Sequence, residues 1–141
     1  LQMTRTHRIH DGEIPAANGV FTARDLARMY AALATPDDFD RPPLVSAATM
    51  REVTTIQTSG RDVVVQWPMR WRLGYHLAGT TAGVLPRGFG HFGFGGSGAW
   101  GDPDSGLAVA MVLNQVAGTP FGDTRLLRIG GAAVRAARRR G

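Results

Sequence analysis

The sequence of 141 residues contains no lysine and no cysteine, so its sixteen basic residues are all arginines. Without cysteine there is no disulfide framework, no thiolate metal site and no thiol nucleophile in this chain. No apolar run approaches the roughly 20 residues of a membrane-spanning helix, and no signal peptide opens the chain. The compartment stays open, with the cytoplasm slightly favoured, and a start at Leu1 rather than Met suggests a fragment or a trimmed product.

Acidic residues are few as well, which leaves a net charge of +5 and an isoelectric point near 11.2. Such a charge suggests a nucleic-acid partner. Most arginines, however, are scattered among Asp and Glu, and the group at the C-terminus has no interleaved aromatic residues. Cations at the end of a helix are stabilised by the helix dipole, so we expect a solvated helix end and no nucleic-acid partner. The terminal group is Arg125, Arg128, Arg135, Arg138, Arg139 and Arg140.

The composition, with 43% hydrophobic and 19% charged residues, is that of one modest globular domain. An irregular leader is predicted over residues 1–21, followed by two helices and a loop over residues 22–57. Thr22 is a good N-cap for a helix that stops before Pro36, and Ser46 caps a second helix over about Ala47 to Ile56. Asp123 is predicted to cap a C-terminal helix over residues 123–139. Its apolar side chains should cover one face of a sheet: Leu126, Leu127, Ile129, Val134 and Ala137.

Strands are predicted between these helices, over residues 63–114. Val63–Val65 is predicted as a short strand, and the alternating segment Trp71–Leu77 as another. A loop over residues 78–87 should lead into a glycine-rich strand, which is followed by strands 97–102 and 107–114. The predicted fold class is therefore α+β: an antiparallel β-meander with a C-terminal helix packed on the sheet and two N-terminal helices.

The glycine-rich strand reads Gly90-His91-Phe92-Gly93-Phe94-Gly95-Gly96-Ser97. Glycine is costly inside a strand, so such a run indicates close approach of another backbone or of a ligand. With Asp102-Pro103 and the apolar run from Leu107 to Asn114, it resembles the third conserved box of serine β-lactamase-related hydrolases. These include class C β-lactamases, D-Ala-D-Ala carboxypeptidases and esterases. The upstream run from Glu13 to Tyr30, with its Asn-Gly, Thr-Ala and Asp-Leu-Ala-Arg elements, is similar to a segment that precedes a helix in that family.

The resemblance implies a partial β-lactamase/transpeptidase-like fold, in which residues 1–141 form the C-terminal portion of one domain. His91, Phe92 and Gly93 stand in place of the family's Lys-Thr-Gly or His-x-Gly box. They would line the substrate cleft, and the N–H of Phe94 would be an oxyanion-hole donor. A neutral imidazole in place of an ammonium shifts the expected substrate toward neutral esters or amides. No cofactor and no metal are expected.

The family's Ser-x-x-Lys and Tyr-x-Asn or Ser-x-Asn boxes do not occur in this sequence. The chain is therefore predicted to be an esterase-like serine hydrolase domain in part only, inactive without a part that supplies the nucleophile. The alternative is a non-catalytic remnant or an interaction module of the same fold. In the resembled fold the strand over Leu107 to Leu113 pairs with a strand from the N-terminal part. Here it is predicted to become a sheet edge through which the chain dimerises or aggregates.

Ser97 lies in a near match to the nucleophile elbow Gly-x-Ser-x-Gly, but no histidine follows it in the chain, as that triad order requires. His7 and His10, with Asp11 and Glu13, are interpreted as solvated polar residues rather than metal ligands. The tryptophans are expected in the core or in a cleft wall: Trp67, Trp71 and Trp100.

Overall fold

The structure is a computed structural model, and it describes residues 11–14, 19–93, 95–114 and 123–139. Three α-helices and six strands occur in these residues. The helices are α1 (Ala23–Ala34), α2 (Ala47–Thr54) and α3 (Arg125–Arg138), with a 3-10 turn at Pro36–Asp38. The strands are β1 (Thr58–Arg61), β2 (Pro68–Trp71), β3 (His76–Thr80), β4 (Gly83–Phe92), β5 (Gly98–Asp102) and β6 (Leu107–Met111).

The strands form one antiparallel sheet whose order follows the chain from β1 to β6. The predicted α+β class, with a meander, two N-terminal helices and a C-terminal helix on the sheet, is confirmed. Strand β6 pairs with β5 and has no second strand neighbour among the described residues. Most of the predicted leader lies outside the described residues, as does the segment between Asn114 and Asp123. No helix in the described ranges is long and apolar enough to cross a membrane.

Hydroxyl caps start the first two helices, as predicted. The Thr22 hydroxyl accepts the Asp25 N–H at 3.1 Å and the Ser46 hydroxyl accepts the Thr49 N–H at 3.0 Å. Each bond satisfies one of the backbone donors that a helix start leaves open. Helix α3 begins at Arg125, and the Asp123 carboxylate accepts the N–H of Arg125 at 3.0 Å. The N-cap residue is Thr124, so Asp123 contributes its hydrogen bond from the position before the N-cap.

Helices cover both faces of the sheet. Successive side chains of a strand point to opposite faces, so one strand contributes to the core on each side. Helix α1 packs over β5 and β6, where Ala99 lies with Phe89 and Tyr30 in one buried cluster. On the other face Trp100 lies in a second cluster that includes Val134 of α3. Ala99 and Trp100, which are adjacent in β5, therefore lie in two different cores.

The contact face of α3 differs from the prediction at Ile129, whose side chain is 49% exposed. Leu126 and Val134 are buried as predicted. Between them the helix presents Gly130, where an added Cβ would lie 3.0 Å from the Trp100 indole. Since this close approach places a glycine against the sheet, Ile129 turns to solvent, and its predicted place in the core was wrong.

The prediction of a strand at Val63–Val65 was wrong. Asp62 accepts the N–H groups of Val64 at 2.8 Å and Val65 at 2.9 Å, which bends these residues into the turn between β1 and β2. Val63 and Val64 are each 84% exposed. The carboxylate of Asp62 thus overrides the β-propensity of the valines, and β1, which is polar and exposed, was missed because it has no alternating pattern.

The predicted strand Trp71–Leu77 is two strands. Strand β2 ends at Trp71 and β3 begins at His76, with a bend in which the Arg72 N–H donates to the Tyr75 carbonyl at 2.7 Å. The predicted loop 78–87 was also wrong, because it forms a hairpin. The Thr80 hydroxyl accepts the Ala82 N–H at 3.0 Å and donates to the Gly83 carbonyl at 2.9 Å.

Strands β5 and β6 lie within the predicted ranges 97–102 and 107–114 and are slightly shorter than predicted.

Candidate functional site

The glycines around His91 have two different roles. An added Cβ at Gly90 would lie 2.6 Å from the Cα of Trp100, and one at Gly98 would lie 2.7 Å from the Cα of Phe92. These two glycines allow β4 and β5 to approach closely. At Gly93 the nearest atom to an added Cβ is the Ser97 carbonyl oxygen at 3.7 Å. The described residues therefore leave space at Gly93, where the sequence predicts approach of a ligand.

His91 lies at the exposed end of β4 among aromatic rings. Its imidazole stacks on Trp71 with centroids 6.3 Å apart and lies 5.3 Å from the ring of His76. The partial burial that these neighbours impose lowers the pKa of His91 below its usual 6.5. The imidazole is accordingly neutral at pH 7, able to donate one hydrogen bond and accept another.

A tight turn after Phe92 returns the chain into β5. The Gly93 N–H donates to the Ser97 carbonyl at 2.8 Å, and the Gly96 N–H donates to the Gly93 carbonyl at 3.0 Å. This turn holds Gly93 directly beyond the His91 strand. Phe94, whose N–H is the predicted oxyanion donor, lies outside the described residues.

His76 is a site residue that the sequence pattern missed. It is buried, its Nδ1 lies 3.0 Å from the Leu77 carbonyl oxygen, and its Nε2 accepts the Phe92 N–H at 3.3 Å. Burial lowers the pKa of His76, and the neighbouring His91 lowers it further, while the Leu77 carbonyl opposes both. The sequence shows His76 as one polar residue in an aromatic segment, which is a weak signal, because half-buried strand histidines are common.

An apolar cavity of about 370 Å³ adjoins this cluster through Phe92. Trp67 and Met69 line it from the β1–β2 turn and β2, and Leu126 and Leu127 line it from α3. Asp123 and Thr124, just before α3, also line it. The cavity is large enough for a small apolar group.

Of the three tryptophans, Trp100 takes a core position, as predicted, whereas the cleft-wall interpretation of the other two stays a prediction. Trp100 is 3% exposed in the core, Trp67 lines the apolar cavity, and Trp71 lies against His91. The Trp71 indole N–H also donates to the Asp62 carboxylate at 2.8 Å, which fixes the orientation of the ring that His91 stacks on.

Ser97 has a structural role. Its hydroxyl accepts the Leu113 N–H at 2.9 Å, and it lies in a turn between two strands. A nucleophile elbow needs a turn from a strand into a helix, so the local geometry is that of a different motif. His7 and His10 lie outside the described residues. Within the described ranges, no group of three or more His, Asp and Glu side chains is placed to hold a metal ion.

Six antiparallel strands between helices, with a His-x-Gly segment at the end of one strand, define a partial serine hydrolase-type α+β domain. A family model described as Beta-lactamase matches residues 2–133, and the chain belongs to this family. The resemblance to serine β-lactamase-related hydrolases and the partial β-lactamase/transpeptidase-like fold are thereby confirmed.

Three similar proteins illustrate the range of the family. Esterase/beta-lactamase LipL from Mycobacterium tuberculosis is 45% identical over 111 residues, which are 75% of this chain and 24% of LipL. A penicillin-binding protein homologue from Caulobacter crescentus superposes with a TM-score of 0.84 at 34% identity, over 93% of this chain and 36% of that structure. A family VIII carboxylesterase gives a TM-score of 0.65 at 32% identity, over 81% of this chain and 30% of its own. The chain thus spans about a quarter to a third of the length of these relatives.

Proposed function

We propose that this chain forms the substrate-facing side of an esterase-like serine hydrolase site. The proposal rests on one observation at the end of β4. There the neutral imidazole of His91 lies on the surface, beside Gly93, where the described residues leave space. A substrate carbonyl can approach the backbone at Gly93, because no side chain of the described residues occupies that space. His91 is then placed to hydrogen-bond to the substrate or to the reacting hydroxyl.

The electrostatics favour neutral esters and amides over substrates that carry a carboxylate. A neutral imidazole gives no ion pair, whereas the ammonium of a Lys-Thr-Gly box attracts a carboxylate directly. Phe92 occupies the middle of the box, where a threonine would offer a hydroxyl. The apolar cavity beside Phe92 suits an alkyl or aryl group, which an ester of low polarity provides. The names esterase and carboxylesterase among the relatives support the same substrate class.

The covalent chemistry requires residues outside this sequence. In the acyl-enzyme route a serine Oγ attacks the ester carbonyl, its proton passes through a base to the leaving alcohol, and water then releases the carboxylic acid and regenerates the serine. This sequence has no lysine and hence no Ser-x-x-Lys. We therefore propose that the nucleophile and its base come from the part of the family domain that this chain does not span, and that the chain alone is inactive.

A chimera with LipL tests this proposal. The segment of LipL that aligns with this chain is replaced by this chain, and turnover of p-nitrophenyl esters and nitrocefin is measured beside unmodified LipL. We expect ester hydrolysis, labelling by a fluorophosphonate, and a preference for esters over nitrocefin. A chimera that melts cooperatively but turns over neither substrate would contradict the proposal. That result would favour the alternative, a non-catalytic interaction module.

A further inference from the structure

His76, the first residue of β3, has no assigned role in the proposed chemistry. Its side chain is buried, and it lies opposite Gly90 on β4 and opposite Trp71 on β2. The pair His76 and Gly90 is the last one between β3 and β4 toward the His-x-Gly segment. Beyond it β4 continues to Phe92 and pairs with β5, with no β3 residue opposite among the described residues.

The ring of His76 occupies the place of the absent strand partner. Backbone N–H groups along an antiparallel strand point alternately to the two neighbouring strands. The Gly93 N–H bonds to Ser97 on the β5 side, and the Phe92 N–H accordingly faces the β3 side. There it donates to Nε2 of His76 at 3.3 Å. The ring of His76 also meets the ring of Phe92 edge-on, with centroids 4.4 Å apart.

Both ring nitrogens are used, and together they fix one tautomer. A carbonyl oxygen only accepts, so Nδ1 carries the hydrogen that points to the Leu77 carbonyl. In the neutral ring Nε2 is then an acceptor, which is what the Phe92 N–H requires. The imidazole thus ties the start of β3 to the end of β4.

We propose that His76 is a positioning residue, whose Nε2 holds the Phe92 backbone and thereby keeps His91 and Gly93 in place for the substrate. This inference rests on the proposed function, since the segment that it positions is the proposed substrate edge. His76 touches no substrate in this account, and it acts through the backbone of β4.

A protonated His76 cannot fill this role, because both of its nitrogens would be donors and Nε2 would face another N–H. The elements packed against the ring are β2, which presents Trp71, and β4, which presents His91 and Phe92. His91 is the titratable group among these contacts. Burial and this neighbour lower the pKa of His76, which keeps the ring neutral at pH 7.

Two variants separate the hydrogen bond from the volume of the ring. His76→Phe keeps an aromatic ring and removes the acceptor, whereas His76→Gln keeps an acceptor near the position of Nε2. Leu85→Ala is the matched control, because Leu85 is a buried core residue of the same β4 strand. If His76 only stabilised the fold, Leu85→Ala and His76→Phe would change Phe92 amide exchange and kcat equally, at equal loss of stability.

The first readout is independent of activity and uses the 141-residue chain. Nitrogen NMR should find the proton of the neutral ring on Nδ1. Amide exchange at Phe92 should be roughly 10-fold faster in His76→Phe, the effect of losing one hydrogen bond of ordinary strength, and close to the parent in His76→Gln. A proton on Nε2, or unchanged Phe92 exchange in His76→Phe, would overturn the inference.

The second readout uses the LipL chimera. His76→Phe should lower kcat by about 10-fold with less change in KM, His76→Gln should recover most of that loss, and Leu85→Ala should leave kcat near the parent value. Equal kcat in parent and His76→Phe would overturn the positioning role. If the parent chimera turns over no ester while the Phe92 exchange responds as expected, the proposed function fails and the anchoring of β4 by His76 stands.

Discussion

Replacing Gly90 by alanine should separate β4 from β5. The added Cβ would lie 2.6 Å from both the Cα and the Cβ of Trp100, and it would also meet the Ala99 carbonyl oxygen. Two of these three atoms belong to the backbone of β5, so no side-chain rotation relieves the overlap. The strand itself has to move.

The magnitude follows from the distance. Ordinary contact between carbon atoms begins near 3.5 Å, so β5 must withdraw by about 1 Å. That withdrawal stretches interstrand bonds of about 2.9 Å beyond the hydrogen-bond limit. Losing two such bonds, at about 1 kcal/mol each, and loosening the packing around Trp100 gives a destabilisation of roughly 3 kcal/mol, at the upper end of overpacking effects.

Gly93→Ala is the matched control, because among the described residues its added Cβ would meet only the Ser97 carbonyl oxygen, at 3.7 Å. In the LipL chimera, thermal unfolding followed by circular dichroism should show a Tm lower by roughly 5 °C for Gly90→Ala and within about 1 °C of the parent for Gly93→Ala. Gly93→Ala should instead reduce ester turnover, since it fills the proposed approach to the backbone. Equal melting temperatures for the two variants would refute the close-approach argument.

Three further predictions concern the chain alone. It should hydrolyse neither p-nitrophenyl esters nor nitrocefin above background, and turnover that survives purification, with fluorophosphonate labelling, would restore Ser97 as a candidate nucleophile. It should dimerise or aggregate through β6, which has no second strand neighbour among the described residues, and become more soluble when the remaining part of LipL is added in trans; a stable monomer in sedimentation, with protected amides over Leu107–Met111, would argue against this. Its unfolding free energy should fall as the pH drops below about 6.5, because the lowered pKa values of His76 and His91 mean that the unfolded chain binds more protons. Urea unfolding at pH 7.5 and 5.5 measures the slope, which should be smaller in His76→Gln, and an equal slope would contradict the role of His76.

The parts of the fold that the sequence predicted are those with strong local signals. The hydroxyls of Thr22 and Ser46 mark helix starts, and the apolar run from Leu107 forms a strand at its predicted place. The missed parts depend on contacts that no local pattern carries. Asp62 turns the valines into a loop, and α3 contacts the sheet through a glycine.

The candidate site likewise has a part that was predicted from the sequence and a part that was not. His91, Phe92 and Gly93 were predicted from the motif, and the structure places them together at the end of β4. The placement of His76 against Phe92 depends on the register between β3 and β4 and on the break that starts β3 at this residue. Because the sequence predicted one continuous strand there, that contact could not be predicted from it.

His91 is proposed to face a substrate rather than to support the fold, and the His91→Ala variant of the LipL chimera tests this role most directly. The measurement is kcat/KM for a p-nitrophenyl ester together with Tm. We predict that kcat/KM falls by roughly 10- to 1000-fold, the range for losing one oriented polar group at a reacting centre. The Tm should change little, because His91 lies at the exposed end of β4. Unchanged kcat/KM with a lowered Tm would contradict the claim.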